Sequence, residues 1–365
     1  MHHKKSKSTY TTLYLMHLNT TYKIARHYLR SWLQGNKYYN WYIFSSRLSH
    51  IWQKEVEKHY TGMPTTPAAN GSHKKMVVAV CNGWVESGGW ADRLKGILST
   101  FILCKENHWD FRLHYMHPFN IEMYLTPNTY DWRINTSELS FDLSTAEPIA
   151  LEIGSDSTYQ ARKQKEWLKR KIERSSARQV HVYTNAMFAY TDDYSKAFHE
   201  LFKTSDRLEA RLKDLAESLG KEYISVSARF LNALGDFNDT VQVEPLPEDK
   251  KHTLIEGCLN QIRDLHKAHP DKVILVNSDS STFLQASQQL PYTKHINGNI
   301  VHFDTAGGNG YDTFEKTFID FFLISHATCV YRLKTRWMHN TGFPYAAARI
   351  NNTPFSSITF NLHLQ

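Results

Sequence analysis

Short apolar runs alternate with stretches of helical periodicity along most of this chain. Met76–Cys81 (MVVAVC) reads as a buried strand. A glycine-rich loop from Asn82 to Trp90 follows it, and Ala91–Cys104 has the spacing of an amphipathic helix. His108–Leu113 predicts the next strand, and Pro118–Leu125 a short helix before the loop at 126–132. Residues 155–178 are charged and helical, Gln179–Asn185 alternates like a strand, and Tyr194–Leu219 forms one long helical pattern that stops at Gly220. The second half repeats the theme: strand Tyr223–Phe230, helix Pro247–His269, strand Val273–Asn277, helix Thr282–Gln289, strand Ile300–Phe303, helix Tyr311–His326, strand Thr328–Leu333 and helix Ala346–Ile350.

Strands alternating with helices imply parallel sheets with crossover helices. The expected fold class is therefore α/β: two Rossmann-like lobes, 76–220 and 221–365, with a cleft between them. Ahead of the lobes lie a basic aromatic segment, 1–60, expected to be a helical arm, and a linker, 61–75, centred on Gly62-Met-Pro-Thr-Thr-Pro-Ala-Ala-Asn-Gly-Ser72.

Charge changes the picture only at that arm. Residues 1–60 carry ten Lys or Arg and two Glu, while the whole chain is +7, so the lobes are close to neutral. Nucleic acid is not an expected partner of the body. Lys and Arg mixed with Trp and Tyr suit either an arm packed on the body or contact with an anionic membrane surface. No apolar run approaches a membrane span and no signal-peptide core is seen, so a cytoplasmic protein, peripheral on the inner membrane face if the arm binds there, is expected. Cys81, Cys104, Cys258 and Cys329 are far apart and read as free thiols, without the spacing of a zinc site.

The chemistry concentrates at strand ends, where open α/β sheets bind ligands. Arg229 follows the strand at 223, and arginine holds phosphate through two parallel hydrogen bonds. A structural ion pair with Asp236 or Asp239 is the alternative for it. Ser278, Asp279, Ser280 and Ser281 follow the next strand and read as a helix cap, a hydroxyl-rich cradle, or both. Thr341, Gly342 and Phe343 open the last helix, whose amides favour anions. In the first lobe, Gly88 and Gly89 precede a helix that starts with Asp92 and Arg93. No metal-ligand cluster and no nucleophile–base arrangement stands out.

The order of these motifs resembles bacterial fucosyltransferase-like proteins, similar to the superfamily of nodulation, core alpha-1,6- and protein O-fucosyltransferases. The matching stretches are Gly88-Gly-Trp-Ala-Asp-Arg-Leu-Lys-Gly96, His117-Pro-Phe, Pro127-Asn-Thr-Tyr-Asp-Trp132, Arg229-Phe, Leu234-Gly-Asp-Phe237, Val276-Asn-Ser-Asp-Ser280, Asp320-Phe-Phe-Leu-Ile-Ser325 and Thr341-Gly-Phe-Pro344. They span 76–360 and leave out the arm. The resemblance implies a GT-B glycosyltransferase, inverting and metal-independent, with no cofactor beyond a GDP-sugar donor. It places the donor on Gly88, Gly89, Arg93, Arg229, Phe230, Ser278, Asp279, Ser280, Thr341, Gly342 and Phe343, with Arg229 on the β-phosphate and Ser278 and Asp279 beside the guanosine. Asp92 and Asp236 are the candidates for the general base. Arg229 lies in Ser227-Ala-Arg-Phe230, without the paired arginines of better-known members, so a GDP-sugar is implied more directly than fucose itself. The acceptor expected is a glycan or a lipid-linked sugar, in polysaccharide biosynthesis. The alternatives are a transferase for another nucleotide sugar and a non-catalytic nucleotide- or sugar-binding or membrane-adaptor protein.

Overall fold

Apolar six-residue runs form the central strands of two parallel sheets. The computed structural model describes residues 48–64, 74–152, 158–188, 193–220, 222–237 and 243–362. Most of the basic arm, most of the linker, and Asp192, Asn238 and Asp239 lie outside them.

The first lobe holds β1 (Met76–Cys81), α2 (Trp90–Glu106), β2 (Asp110–Tyr115), β3 (Leu125–Pro127), β4 (Ala146–Leu151), α3 (Thr158–Arg174), β5 (Gln179–Thr184), α4 (Asp193–Leu201), β6 (Phe202–Thr204) and α5 (Asp206–Leu219), preceded by α1 (Leu48–Glu57). Its main sheet runs β2-β1-β5-β4, all parallel. The second lobe holds β7 (Tyr223–Ala228), α6 (Glu248–Ala268), β8 (Val273–Ser278), α7 (Ser281–Ser287), β9 (Thr293–Lys294), α8 (Tyr311–Ser325), β10 (Val330–Lys334), α9 (Phe343–Ile350) and β11 (Phe355–Thr359). Its parallel sheet runs β11-β10-β7-β8-β9. This is the two-lobed α/β architecture that the alternation predicted. Gly220 ends α5, and the second sheet begins three residues later.

Several elements differ from expectation. The long helix over 194–219 is two helices, because Phe202–Thr204 leaves the helical path to pair antiparallel with Leu125–Pro127. Residues 300–303 form no strand; the edge position beside β8 goes to Thr293–Lys294. The strand β4 was not anticipated, since Glu147 and Pro148 break its apolar pattern. It sits at the sheet edge, where a missing proline N–H is tolerated. There α1 covers it: Gln53 Nε2 donates to Pro148 O and Gln53 Oε1 accepts from Ala150 N, both at 2.8 Å. One glutamine thus satisfies backbone groups that a bare edge strand would expose.

The two lobes share one apolar core. Trp90 and Phe119 of the first lobe pack against Phe318 of α8, and the rings of Tyr124 and Phe318 stack at 4.1 Å. Helix α9 lies against α8, α4 and α2, with Ala346, Ala347 and Ala348 buried along it. Across this core runs a clasp. Arg93, 1% exposed, donates from Nη2 to Asp304 Oδ1 at 2.6 Å, and Gly88 N donates to Asp304 Oδ2 at 2.9 Å. Within the first lobe, Gly96 lets α2 sit directly on β5: a Cβ there would come within 1.8 Å of Thr184 O.

Candidate functional site

Arg229 leaves the carboxyl end of β7, between β8 on one side and β10 on the other. The chain goes outward from β7 to β8 and β9, then returns to build β10 and β11. The strand order therefore reverses beside Arg229, the place where open α/β sheets bind ligands.

The loop carrying Arg229 is held from the next strand. Asp279 is buried and accepts from Phe230 N through Oδ1 and from Leu231 N through Oδ2, both at 2.8 Å. The same Oδ2 lies 3.9 Å from Arg229 Nε. These contacts fix Leu231 at φ 53°, an uncommon conformation for a residue with a branched side chain. Burial pushes the Asp279 carboxyl up to about 6, against the pull of Arg229 and of the two amides. The folded protein therefore keeps this proton up to about pH 6, whereas an unfolded chain releases it near 3.8. The stability this group contributes should be present below pH 4 and should fall as pH rises to about 6, by roughly 3 kcal/mol in total. Denaturant unfolding of the wild type and Asp279→Asn across that window checks it. The stability difference between them should shift with pH; a constant difference would contradict the assignment.

Two cavities meet at Arg229. An inner pocket of about 130 Å³ is lined by Ser227, Asn277, Ser278, Asp279, His302, Lys316 and Asp320. An outer cleft of about 570 Å³ is lined by Gly88, Asp92 and Lys95 from the first lobe and by Arg332, His339 and Gly342 from the second. Gly89, Trp90, Arg229, His302, Thr341 and Phe343 border both.

The inner pocket gathers polar atoms that the protein leaves unsatisfied. Ser227 Oγ, Asn277 Oδ1, Asp320 Oδ1 and Trp90 Nε1 are buried without a hydrogen-bond partner among the described residues, and all four residues line it. Buried polar groups are normally paired, and leaving one unpaired costs about 1–3 kcal/mol. Four such atoms belong to residues that line this one pocket. Lys316 Nζ donates to Asp320 Oδ2 at 2.5 Å, one turn apart on α8, and burial raises the Asp320 carboxyl above its ordinary value despite that partner.

Lys95, Arg229 and Arg332 line the outer cleft together with one carboxylate, Asp92. Arg332 donates to Thr341 O at 2.7 Å and to Ser357 Oγ at 2.8 Å, which ties down the turn before α9. Helix α9 begins at Gly342 with no side-chain cap bond, while Thr341 Oγ1 accepts from Phe343 N at 3.2 Å. Phe343 N is thus spent on Thr341 and Pro344 has no N–H, so the helix dipole is what favours an anion at this end.

Of the residues expected at the site, the structure brings together Gly88, Gly89, Asp92, Arg229, Ser278, Asp279, Thr341, Gly342 and Phe343. Four others line neither cavity. Arg93 is spent on the clasp, on Gly88 O at 2.8 Å and on His117 O at 2.5 Å. Phe230 packs against Phe283 in the core behind β7. Ser280 caps α7, its Oγ accepting from Phe283 N at 3.1 Å. Asp236 Oδ2 accepts from Ser280 Oγ and Thr282 N, both at 2.8 Å. Burial pushes the Asp236 carboxyl up, but these bonds outweigh it and hold it below the ordinary carboxylate value. It is a helix-capping group, and its charge is used there.

Lys316, His302, Arg332 and Lys95 line the cavities without having been expected there, as does Asp320. A Lys-x-x-x-Asp pair that runs into the apolar half of the helix was the available signal for Lys316 and Asp320. Among the described residues no three His, Cys, Asp or Glu side chains converge in a metal-ligand arrangement, and no helix is long and apolar enough to cross a membrane.

Fold and site define a two-lobed α/β protein with a polar-lined cleft at the carboxyl ends of its strands. No protein-family profile matches the chain, and no curated protein matches it. Among solved structures, the chain is similar to NodZ alpha-1,6-fucosyltransferase soaked with GDP-fucose, at 14% identity over 76% of this chain and 93% of that one, TM-score 0.48. It is similar to fucosyltransferase NodZ from Bradyrhizobium at 15% identity over 80% and 96%, TM-score 0.49. A third similarity is to Arabidopsis thaliana FUT1 in complex with GDP, at 10% identity over 92% and 80%, TM-score 0.48.

Proposed function

We propose that this chain is a glycosyltransferase that takes its sugar from a GDP-sugar, fucose being the sugar the motif order favours, and passes it to a glycan or lipid-linked acceptor. The observation that carries this reading is the cluster of buried, unpartnered polar atoms around Arg229 at the strand-order reversal. The nucleoside occupies the inner pocket. Guanine presents adjacent N1–H and N2–H donors, which suit the open oxygen of Asp320, and an O6 acceptor, which suits a neighbouring ammonium such as Lys316. Adenine offers an acceptor where guanine offers N1–H, so the same pocket disfavours it.

The diphosphate lies over Arg229 and the start of α9, and the sugar projects into the outer cleft. The acceptor hydroxyl attacks the anomeric carbon from the side away from the diphosphate, with inversion. Arg229 and the positive end of the α9 dipole take up the charge that develops on the leaving group. With that charge met by protein groups, nucleotide binding is expected to survive chelation.

Asp320→Asn tests the base assignment. It exchanges a charged acceptor for a neutral one, so GDP affinity should fall by about 10- to 100-fold and the preference over ADP should narrow. Competition binding with GDP, ADP and UDP measures both. Unchanged GDP affinity would remove Asp320 from the base pocket. Release of GDP from GDP-fucose and from GDP-mannose, with a panel of oligosaccharide acceptors, reads turnover directly.

A further inference from the structure

The reaction also requires a group to receive the acceptor's proton. Three carboxylates line the two cavities among the described residues: Asp92, Asp279 and Asp320. Asp279 is spent on two backbone amides, and Asp320 is held by Lys316 in the inner pocket. Only Asp92 lines the outer cleft, on the first-lobe wall of the cavity bordered by Arg229 and Thr341. Its placement is built. Lys95 Nζ holds Oδ1 at 2.6 Å. Gly88 lies beneath the other oxygen at φ 78°, where a Cβ would come within 2.9 Å of Oδ2 and 3.0 Å of the Asp92 Cβ. The side chain lines the cleft and keeps 47% of its surface open, and its Oδ1 is the oxygen engaged by Lys95.

We propose that Asp92 is the general base of the transfer and that Lys95 is the positioning residue that orients it. This assignment rests on the transferase reading above. As the acceptor oxygen bonds to the anomeric carbon, its proton passes to Asp92 Oδ2. The bond from that carbon to the diphosphate oxygen breaks, and its electron pair stays on the diphosphate. Asp92 afterwards returns the proton to solvent. An acid in the first turn of α2 also complements the helix dipole, a role that concerns stability alone. Kinetics separates the two roles.

The test compares wild type, Asp92→Asn, Asp92→Ala and Asp92→Glu in donor binding, melting temperature and turnover. Asp92→Asn should lower kcat by about 10²-fold or more while donor Kd stays within about twofold. Asp92→Glu should retain more activity than Asp92→Asn. Added formate should restore part of the turnover of Asp92→Ala and leave the wild type unchanged. A kcat for Asp92→Asn within about threefold of wild type would overturn the assignment, as would a loss of activity that follows the loss of stability and is not answered by formate. A wild-type protein that binds no GDP and turns over no GDP-sugar would overturn the transferase reading itself, and this assignment with it.

Discussion

Replacing Arg229 by alanine should lower kcat/KM by about 10²- to 10³-fold and leave the fold intact. That is the usual cost of one well-placed contact to developing charge. Arg229 sits at the strand-order reversal, borders both cavities and keeps 23% of its side-chain surface open. The β7 sheet hydrogen bonds and the bonds that Phe230 N and Leu231 N donate to the Asp279 carboxylate do not use the Arg229 side chain, so they persist in the variant. Arg229→Lys keeps the charge but loses the planar fork that matches phosphate, so it should rescue only a fraction. Steady-state kinetics beside circular dichroism and melting measurements decide the matter. Equal losses of activity and of folded protein would move Arg229 from the site to the scaffold.

The second large effect belongs to stability. The Arg93–Asp304 pair is buried on both sides, at 1% and 6% side-chain exposure. Removing one partner strands the other charge, which typically costs 3–5 kcal/mol. Arg93→Ala or Asp304→Ala should each destabilise by about that amount, and activity should fall with them because Gly88, on the wall of the outer cleft, is bonded by both members of the pair. The double change Arg93→Met with Asp304→Leu should recover much of the stability, since a buried pair replaced by apolar groups of similar size is often near neutral. Denaturant unfolding of wild type, Arg93→Met, Asp304→Leu and the double variant forms a double-mutant cycle. A double variant as unstable as the sum of the singles would show that the pair does not act as a unit.

How far the sequence reveals this site depends on the range of the interactions. The β1–loop–α2 unit and the β7, β8 and β10 strands were legible because an apolar run bounded by glycine and small polar residues is a local signal. Arg229, Ser278 and Thr341 were legible for the same reason, each lying just past a strand or just ahead of a helix. Arg93 illustrates the limit. Its motif neighbours point to a ligand, but its charge is answered by Asp304, 211 residues away, and no local pattern shows that. The β6 strand was hidden inside a helical pattern because its reason to exist is its pairing with Leu125–Pro127. Ser205, which caps α5 by accepting from Leu208 N, marked that break, and the apolar spacing on either side masked it. Asp236 reads like a free acid in a turn, whereas its oxygen closes the start of a helix 46 residues further on. The shared core also had no local sign: two halves that each read as a Rossmann-like unit are joined by stacked aromatics of α8 against the first lobe.

The most direct test of the account is calorimetric titration of wild type and Arg229→Ala with GDP, UDP and CMP, without and with EDTA. GDP should bind best, chelation should leave its affinity unchanged, and Arg229→Ala should weaken it strongly. A preference for UDP or CMP, a strict metal requirement, or GDP binding indifferent to Arg229 would contradict it.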